Sequence, residues 1–235
     1  MRQRPRMRTA LRHRVIIPTA ILITMALSFI IFINLSNSHL TYAAASGDYR
    51  SAASGNWNSI STWEKFDGTN WNAATATPTS ADGTITISNG TTVTVTGNVT
   101  VDQVSVQPNG QLLLNSGVTL TLANGSGTDL DINGIFTNAG TITINASANI
   151  VFEPNGTYQH NFSTSAGTIP AATWSTNSTC AVIGYTSNTS APGGLQSFYN
   201  FVWNCPAQTA TINLAGGLTT FRRHPLKISQ SPSCQ

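Results

Sequence analysis

The chain has 235 residues, enough for one or two domains. Its net charge of +3 arises at its ends: six arginines lie within the first 14 residues, whereas residues 46–220 hold all eight acidic residues but only two bases, Arg50 and Lys65. Because nucleic-acid binding needs clustered cations on the folded surface, this acidic body excludes nucleic acid as an expected partner.

Residues 1–45 have the organisation of an export signal. The arginine-rich start is followed by an uncharged apolar run at 15–35 and then by Ala43-Ala44-Ala45, small residues of the kind that signal peptidase accepts. The pattern predicts a cleaved signal peptide. A membrane anchor is the alternative, because an apolar run of about 20 residues can span a bilayer. In that case residues 15–35 provide the membrane contact, and in both cases the body is exported.

Residues 46–80 contain Trp57, Trp63 and Trp71 among turn-forming residues, with no helical period. The three rings suggest two interpretations. They could form a platform on which sugars stack, or they could plug the open end of a β-stack with apolar bulk. We expect the plug, because a stack of strands must cover its first edge. Residues 46–80 are therefore predicted to be a Trp-rich cap.

Residues 81–160 alternate β-branched and polar residues with a period of two, which predicts half-buried strands. Asn-Gly pairs recur at 89–90, 109–110, 133–134 and 155–156, at spacings of 20, 24 and 22 residues. A near-constant period of this size is typical of a solenoid. The predicted fold is all-β, a right-handed parallel β-helix, with a β-sandwich of hairpins as the alternative. Residues 161–220, richer in aromatics, are expected to continue the stack or to form a second small β unit.

Catalytic chemistry has little support in the sequence. The body contains one histidine, His160, and lacks a Ser-His-Asp set, HExxH, a phosphate-binding glycine loop and CxxC. It also lacks the clusters of Asp with Lys or Arg that polysaccharide-cleaving β-helices carry. We therefore predict that the chain is not an enzyme and that His160 is a turn or surface residue.

Two pairs of residues are candidates for local chemistry. Asp129 and Asp131 form D-x-D and could bind Ca²⁺ on one face of a strand, although calcium takes six to eight ligands and two solvent-facing acids are the simpler interpretation. We expect no other cofactor. Cys180 and Cys205 could form a disulfide in an exported chain if the coil register brings them together.

Thr-x-Thr pairs would stack as outward ladders if they shared one face. They are Thr84/Thr86, Thr94/Thr96, Thr119/Thr121 and Thr141/Thr143. Such ladders resemble the ice-binding faces of antifreeze solenoids. The ordinary interpretation is that threonine is favoured on exposed strands, where it pairs well across neighbours.

The segment SGNWNSISTWEKFDGTNW and the later DGTITISNGTTVTVTGNVTVDQVSVQPNGQLLL resemble the opening module of large secreted bacterial surface proteins of the type IX secretion kind, and the eight-glycine extracellular domain. The shared pattern is W-x5-W, then I-x-x-G-x-x-V-x-V, then N-G-x-L. The resemblance covers about residues 47–220. It implies a structural or adhesive β-helical module on the surface of a Gram-negative bacterium, with surface glycans or other surface proteins as partners.

The end of the chain departs from that pattern. After Thr220 it reads FRRHPLKISQSPSCQ, gaining charge and losing the Thr/Asn/Gly composition. We interpret residues 221–235 as an anomalous tail created by a frameshift or premature stop, so that the chain would be a fragment.

Overall fold

The computed structural model describes residues 43–212, residue 214 and residues 227–228. The predicted leader, up to residue 42, and most of the predicted tail lie outside the described residues. The strands are β1 (Tyr49–Ser51), β2 (Gly55–Asn56), β3 (Trp63–Phe66), β4 (Trp71–Ala73), β5 (Ile85–Ile87), β6 (Thr92–Val95), β7 (Val99–Val101), β8 (Val104–Val106), β9 (Gln111–Leu114), β10 (Thr119–Leu122), β11 (Leu130–Ile132), β12 (Ile135–Asn138), β13 (Thr141–Ile144), β14 (Ile150–Phe152), β15 (Thr157–His160), β16 (Thr173–Trp174), β17 (Thr179–Val182), β18 (Asn200–Trp203) and β19 (Lys227–Ile228).

The strands form three sheets that the chain visits in turn. Sheet 1 has the order β16-β14-β11-β8-β5-β1-β3-β4, sheet 2 the order β19-β18-β17-β15-β12-β9-β6-β2, and sheet 3 the order β13-β10-β7. One passage through sheets 1, 2 and 3, such as β5 to β7, is one coil, and each coil pairs in parallel with the next. The predicted β-solenoid is therefore confirmed. The β-sandwich alternative is wrong, because the stack is built from parallel crossings and not from hairpins.

Alternating burial fixes the register of this stack. In sheet 2, Val93, Leu112, Phe136, Tyr158, Cys180 and Phe201 pair in sequence and form one inward column. The steps along it are 19, 24, 22, 22 and 21 residues. All six side chains are buried. A slip of one residue would turn each of them to solvent, so the buried face strongly specifies the pairing.

The Asn-Gly repeat marks the corner between sheets 1 and 2. Asn109 and Asn155 adopt positive φ values of 61° and 73°, a left-handed conformation that Asn tolerates better than most residues. Gly156 follows, and a Cβ at its position would collide with the backbone carbonyl of Ile132 in the preceding coil. The period seen in the sequence is thus the distance between successive corners, three of which use a positive φ, at Gly90, Asn109 and Asn155.

The N-terminal end is closed differently from the rest. β1 pairs in parallel with β5 but antiparallel with β3, which in turn pairs antiparallel with β4. This hairpin covers the first edge of sheet 1. The first edge of sheet 3 is met by the preceding loop, where the Ser80 amide donates to the Thr100 carbonyl at 3.1 Å. Pairing and covering the first strands in this way protects edges that would otherwise be templates for aggregation.

Beyond β13 the third wall changes. β16, β17 and β18 extend sheets 1 and 2, whereas sheet 3 ends at β13 in the described part of the chain. The loop at residues 161–172 takes the place of a sheet 3 strand, and the loop at residues 183–199, between two strands of sheet 2, takes the place of a sheet 3 strand and a sheet 1 strand. The two loops share one parallel bridge between Thr168 and Gly193. Within the described residues, no helix has the length and apolar character needed to cross a membrane.

Candidate functional site

Two of the three tryptophans of the cap lie inside the first coil. Trp57 is 0% exposed and Trp63 is 1% exposed. Their rings meet edge to face at 4.9 Å, and their indole N–H groups donate to the carbonyls of Pro78 and Trp57 at 3.1 and 2.8 Å. In this position neither ring offers a face on which a sugar could stack. Trp71 is half-buried, with Phe66 at 5.2 Å and the Arg50 guanidinium 4.4 Å from its ring centre.

His160 does not lie in a turn or at the surface as expected. It is the last residue of β15 and is 0% exposed. Nε2 lies 2.7 Å from the Ala166 carbonyl, which only accepts, so Nε2 carries the proton. Nδ1 then accepts from the Tyr158 hydroxyl at 3.1 Å, and that hydroxyl accepts from the Asn138 amide at 3.0 Å.

Burial lowers the pKa of His160 to about 4, with the Ala166 hydrogen bond opposing the shift, so the ring is neutral at pH 7. Burial also raises the pKa of Tyr158 and of Tyr185. The Tyr185 hydroxyl donates to the same Ala166 carbonyl at 2.6 Å. These groups form a hydrogen-bonded chain that runs from Asn138 through Tyr158 and His160 to the Ala166 carbonyl and holds the loop there. Period-two alternation could have found it, because Tyr158 and His160 are two residues apart on one strand and therefore share the inward face.

The D-x-D pair is divided between two roles. Asp129 is 0% exposed, so it is not the solvent-facing acid expected for it. Its two oxygens accept from the Gly125 and Asn149 amides at 2.9 and 2.7 Å, and they thereby tie one corner to the next coil. Asp102 faces Asp129, and its pKa is raised first by burial of its carboxyl and then by the hydrogen bond and negative charge of Asp129.

Asp131 points outward from the middle of β11, between the buried Leu130 and Ile132. The Asn133 side-chain amide donates to it at 3.2 Å. Burial, followed by the charge of Glu153, raises the pKa of Asp131 to about 6. Across the described residues, no group of three or more His, Cys, Asp and Glu is placed to hold a metal ion. The proposed Ca²⁺ pair thus consists of one acid engaged by backbone amides and one acid on the sheet surface.

The predicted disulfide is wrong, because Cys180 and Cys205 are both buried free thiols. Cys180 pairs with Phe201 across β17 and β18, so Cys205 lies four residues further along its strand path than the position opposite Cys180. Four residues of extended chain cover about 13 Å. A disulfide requires Cα atoms within about 7 Å, so the register separates the two thiols.

The four Thr-x-Thr pairs do not form one ladder. Thr86 lies in sheet 1 and Thr94 in sheet 2, while only the last two pairs share sheet 3. There Thr119 pairs with Thr141, and Thr121 pairs with both Thr143 and Thr100. The condition for one continuous ladder is not met, because each coil turns between successive strands and places pairs that are half a coil apart on different walls.

Charge is unevenly distributed over the three walls. Between residues 43 and 212, the charged residues belong to the cap, to the corners before β8 and β11, or to sheet 1 and its margin: Asp48, Arg50, Glu64, Lys65, Asp67, Asp82, Asp102, Asp129, Asp131 and Glu153. Outside that range, Lys227 of β19 follows β18 at the end of sheet 2. Two ion pairs, Arg50–Glu64 at 2.7 Å and Lys65–Asp82 at 2.9 Å, lie in the cap.

Sheet 2 carries an outward surface without charge. We define the sheet 2 face as the outward residues of β6, β9, β12, β15, β17 and β18. They form two columns in register: Thr92, Gln111, Ile135, Thr157, Thr179 and Asn200, and beside them Thr94, Leu113, Thr137, Gln159, Ala181 and Val202. No alternation rule predicted this face, because charge segregation depends on which wall each strand joins.

Comparison of the chain with protein families, with curated proteins and with solved structures gives no match.

Proposed function

We propose that the chain is an exported, non-catalytic structural or adhesive β-solenoid module of a bacterial cell surface. The observation that carries the proposal is that the side chains best suited to chemistry are used to hold the coils together. His160 is buried and neutral, and its two nitrogens are engaged by Tyr158 and by the Ala166 carbonyl.

The carboxylates support the same conclusion. Asp129 accepts two backbone amides and joins neighbouring coils, while Glu64 and Asp82 pair with Arg50 and Lys65 in the cap. A catalytic site needs titratable groups that converge on a position open to substrate. The acids described above are engaged in holding the fold, or lie on the outer surface of sheet 1.

The export pattern at residues 1–45 and the resemblance to secreted surface modules supply the location in this proposal. Antibodies raised against the folded body should label intact, unpermeabilised cells that produce the full chain. The label should disappear after brief treatment of the intact cells with protease. Labelling that appears only after the cells are permeabilised would overturn the surface role.

The non-catalytic part has a separate test. The purified protein, incubated with a panel of polysaccharides and esters, should leave each of them unchanged over a day. Its unfolding midpoint should meanwhile be high, as expected of a continuously paired stack. Release of reducing ends or acids that is lost in a catalytically motivated variant, such as Asp131→Asn, would show that the chain is an enzyme.

A further inference from the structure

The sheet 2 face combines three properties that the other walls lack together. It is long, because six strands pair without interruption from β6 to β18. None of its twelve residues is charged, although the body around it holds eight acidic residues against two basic ones. It also mixes apolar Leu113 and Ile135 with threonine and glutamine, so that apolar area remains partly exposed.

The side chains of this face are already ordered. Except for Ala181, which is buried, they are half-buried by their ladder neighbours. Thr137 Oγ1 donates to Gln159 Oε1 on the next rung at 2.8 Å. Binding costs conformational entropy for each flexible side chain that it immobilises. A face whose side chains are already held by their neighbours therefore loses less entropy on binding. Stacked β-branched and amide ladders are also the side chains that interdigitate between two packed sheets.

The chemistry of the face argues against a sugar as its occupant. Sheet 2 contains Phe136, Tyr158, Phe201 and Trp203, but all four are buried and point into the solenoid. The outward columns therefore contain no aromatic ring on which a pyranose could stack. A flat, uncharged ladder is instead complementary to another flat, uncharged ladder.

We propose that the sheet 2 face binds the sheet 2 face of a second copy of this chain, forming a two-fold symmetric dimer. Charge favours this wall, because two acidic bodies repel each other through sheet 1 but not through sheet 2. The face measures about 25–30 Å by 13 Å, from strand spacings of about 4.8 Å and four residues per strand. Two such faces cover roughly 700 Å², which is below the area of a standard specific interface and is typical of weak association.

This area makes the expected dimer concentration-dependent. Sedimentation velocity of the purified full chain across a wide concentration series should show a shift from the mass of one chain to twice that mass. The inference rests on the proposed structural and adhesive role, for which pairing between copies supplies a partner. The two can fail separately: a surface-exposed protein that stays monomeric overturns only the pairing, and a dimer found inside cells overturns only the surface role.

A matched pair of variants locates the interface. Thr137→Glu with Thr179→Glu places two charges on the sheet 2 face, and Thr121→Glu with Thr143→Glu places the same charges on the outward threonines of sheet 3. We expect the first variant to weaken dimerisation at least 10-fold and the second to leave it unchanged, with thermal unfolding reporting that both are folded. If the sheet 2 double variant does not fold, the single Thr157→Glu variant repeats the test.

Three results would overturn the proposal. They are a monomer at the highest concentration reached, equal weakening by the two double variants, and weakening by the sheet 3 variant alone. If the monomer instead binds a neutral polysaccharide film and loses that binding in the Thr137→Glu, Thr179→Glu variant, the face serves a flat polymer and not a second copy.

Discussion

The early coils, β5 to β10, and the late coils, β14 to β18, solve the same packing problem in different ways. The early interior is filled by aliphatic side chains, such as Ile87, Val106 and Leu120. Their third wall is a strand of sheet 3 with a continuous backbone ladder. In the late coils Phe152, Tyr158 and other aromatic rings fill the interior, and loops form the third wall.

The early wall is a regular backbone ladder, whereas the late wall combines scattered backbone bonds with side-chain anchors. The Thr186 amide donates to the Ser163 carbonyl at 3.1 Å, and the Ile169 amide donates to the Gly193 carbonyl at 2.9 Å. The His160 ring and the Tyr185 hydroxyl both donate to the Ala166 carbonyl, and Phe162 stacks on His160 with ring centres 4.4 Å apart. In this molecule sheet 2 keeps its register from β15 to β18 although loops replace strands of the other walls, and buried polar groups help to anchor those loops. The group whose protonation should destabilise the fold in acid, His160, also lies in the late coils.

The largest expected effect comes from truncating the interior. Val106, Ile132 and Phe152 form one inward column of sheet 1 and are all 0% exposed. Phe152→Ala should lower the free energy of unfolding by about 3–5 kcal/mol, because it also removes the stack on Trp174 at 4.3 Å. Val106→Ala should cost about 2 kcal/mol. Urea unfolding measures both, and equal costs would contradict the distinction between the two interiors.

The next effect is the acid sensitivity of the late coils. The pKa of His160 is about 4 in the folded chain, below its ordinary value, so the unfolded chain binds more protons between pH 4 and 6.5. Stability should therefore be fully present above about pH 6.5 and fall by up to about 3 kcal/mol as the pH drops to about 4.

Urea unfolding at a series of pH values checks this dependence. His160→Gln should lower stability at pH 7, through imperfect hydrogen bonding to Ala166, and should remove the loss between pH 6.5 and 4. A variant that keeps the full acid loss would show that another group is responsible.

Asp131 should have a smaller effect on the pH dependence of stability, and in the opposite direction to that of His160. Its pKa is raised to about 6 by burial and by Glu153, so its ionised form is disfavoured in the folded chain. This cost is fully present above about pH 6 and is relieved as the pH falls towards 4. Asp131→Asn should stabilise the protein at pH 7.5 by about 1 kcal/mol, and by much less at pH 4. Thermal unfolding at the two pH values measures the difference, and destabilisation at pH 7.5 would contradict the account.

The smallest effect concerns the thiols. Because Cys180 and Cys205 are free and out of register, a reducing agent should leave the melting temperature unchanged. Thiol titration of a Cys234→Ser variant, which removes the third cysteine of the chain, should find Cys180 and Cys205 reactive only after unfolding. A lower melting temperature under reducing conditions would restore the disulfide hypothesis.

Much of this architecture could be predicted from local patterns. Alternation at Thr92–Val95 and Gln111–Leu114 gave strands with the correct inward residues, and the Asn-Gly period gave the coil, because both depend on local conformation and burial. The position of each strand on a given wall could not be predicted. It depends on corner angles, which are set by contacts between coils, such as the approach of Gly156 to Ile132.

The same limitation explains the errors at individual residues. Thr94 and Thr119 belong to different walls. Cys205 is four positions out of register with Cys180. Neither relation can be predicted without knowing the angle at which the chain turns at each corner. For His160, residue type suggested the surface, while the alternation that it shares with Tyr158 indicated the interior. The surface was expected because burying a polar ring costs free energy when its nitrogens lack partners. That cost is small here, because the neutral imidazole makes a hydrogen bond at each nitrogen.

Amide hydrogen exchange at pH 7 tests the central claim, that one continuous stack changes its third wall after β13. We expect strong protection along sheet 2 from β6 to β17, protection of the central sheet 3 strand β10, and fast exchange across most of residues 163–168. Protection that stops before β15, or a 163–168 segment as protected as β10, would contradict the account.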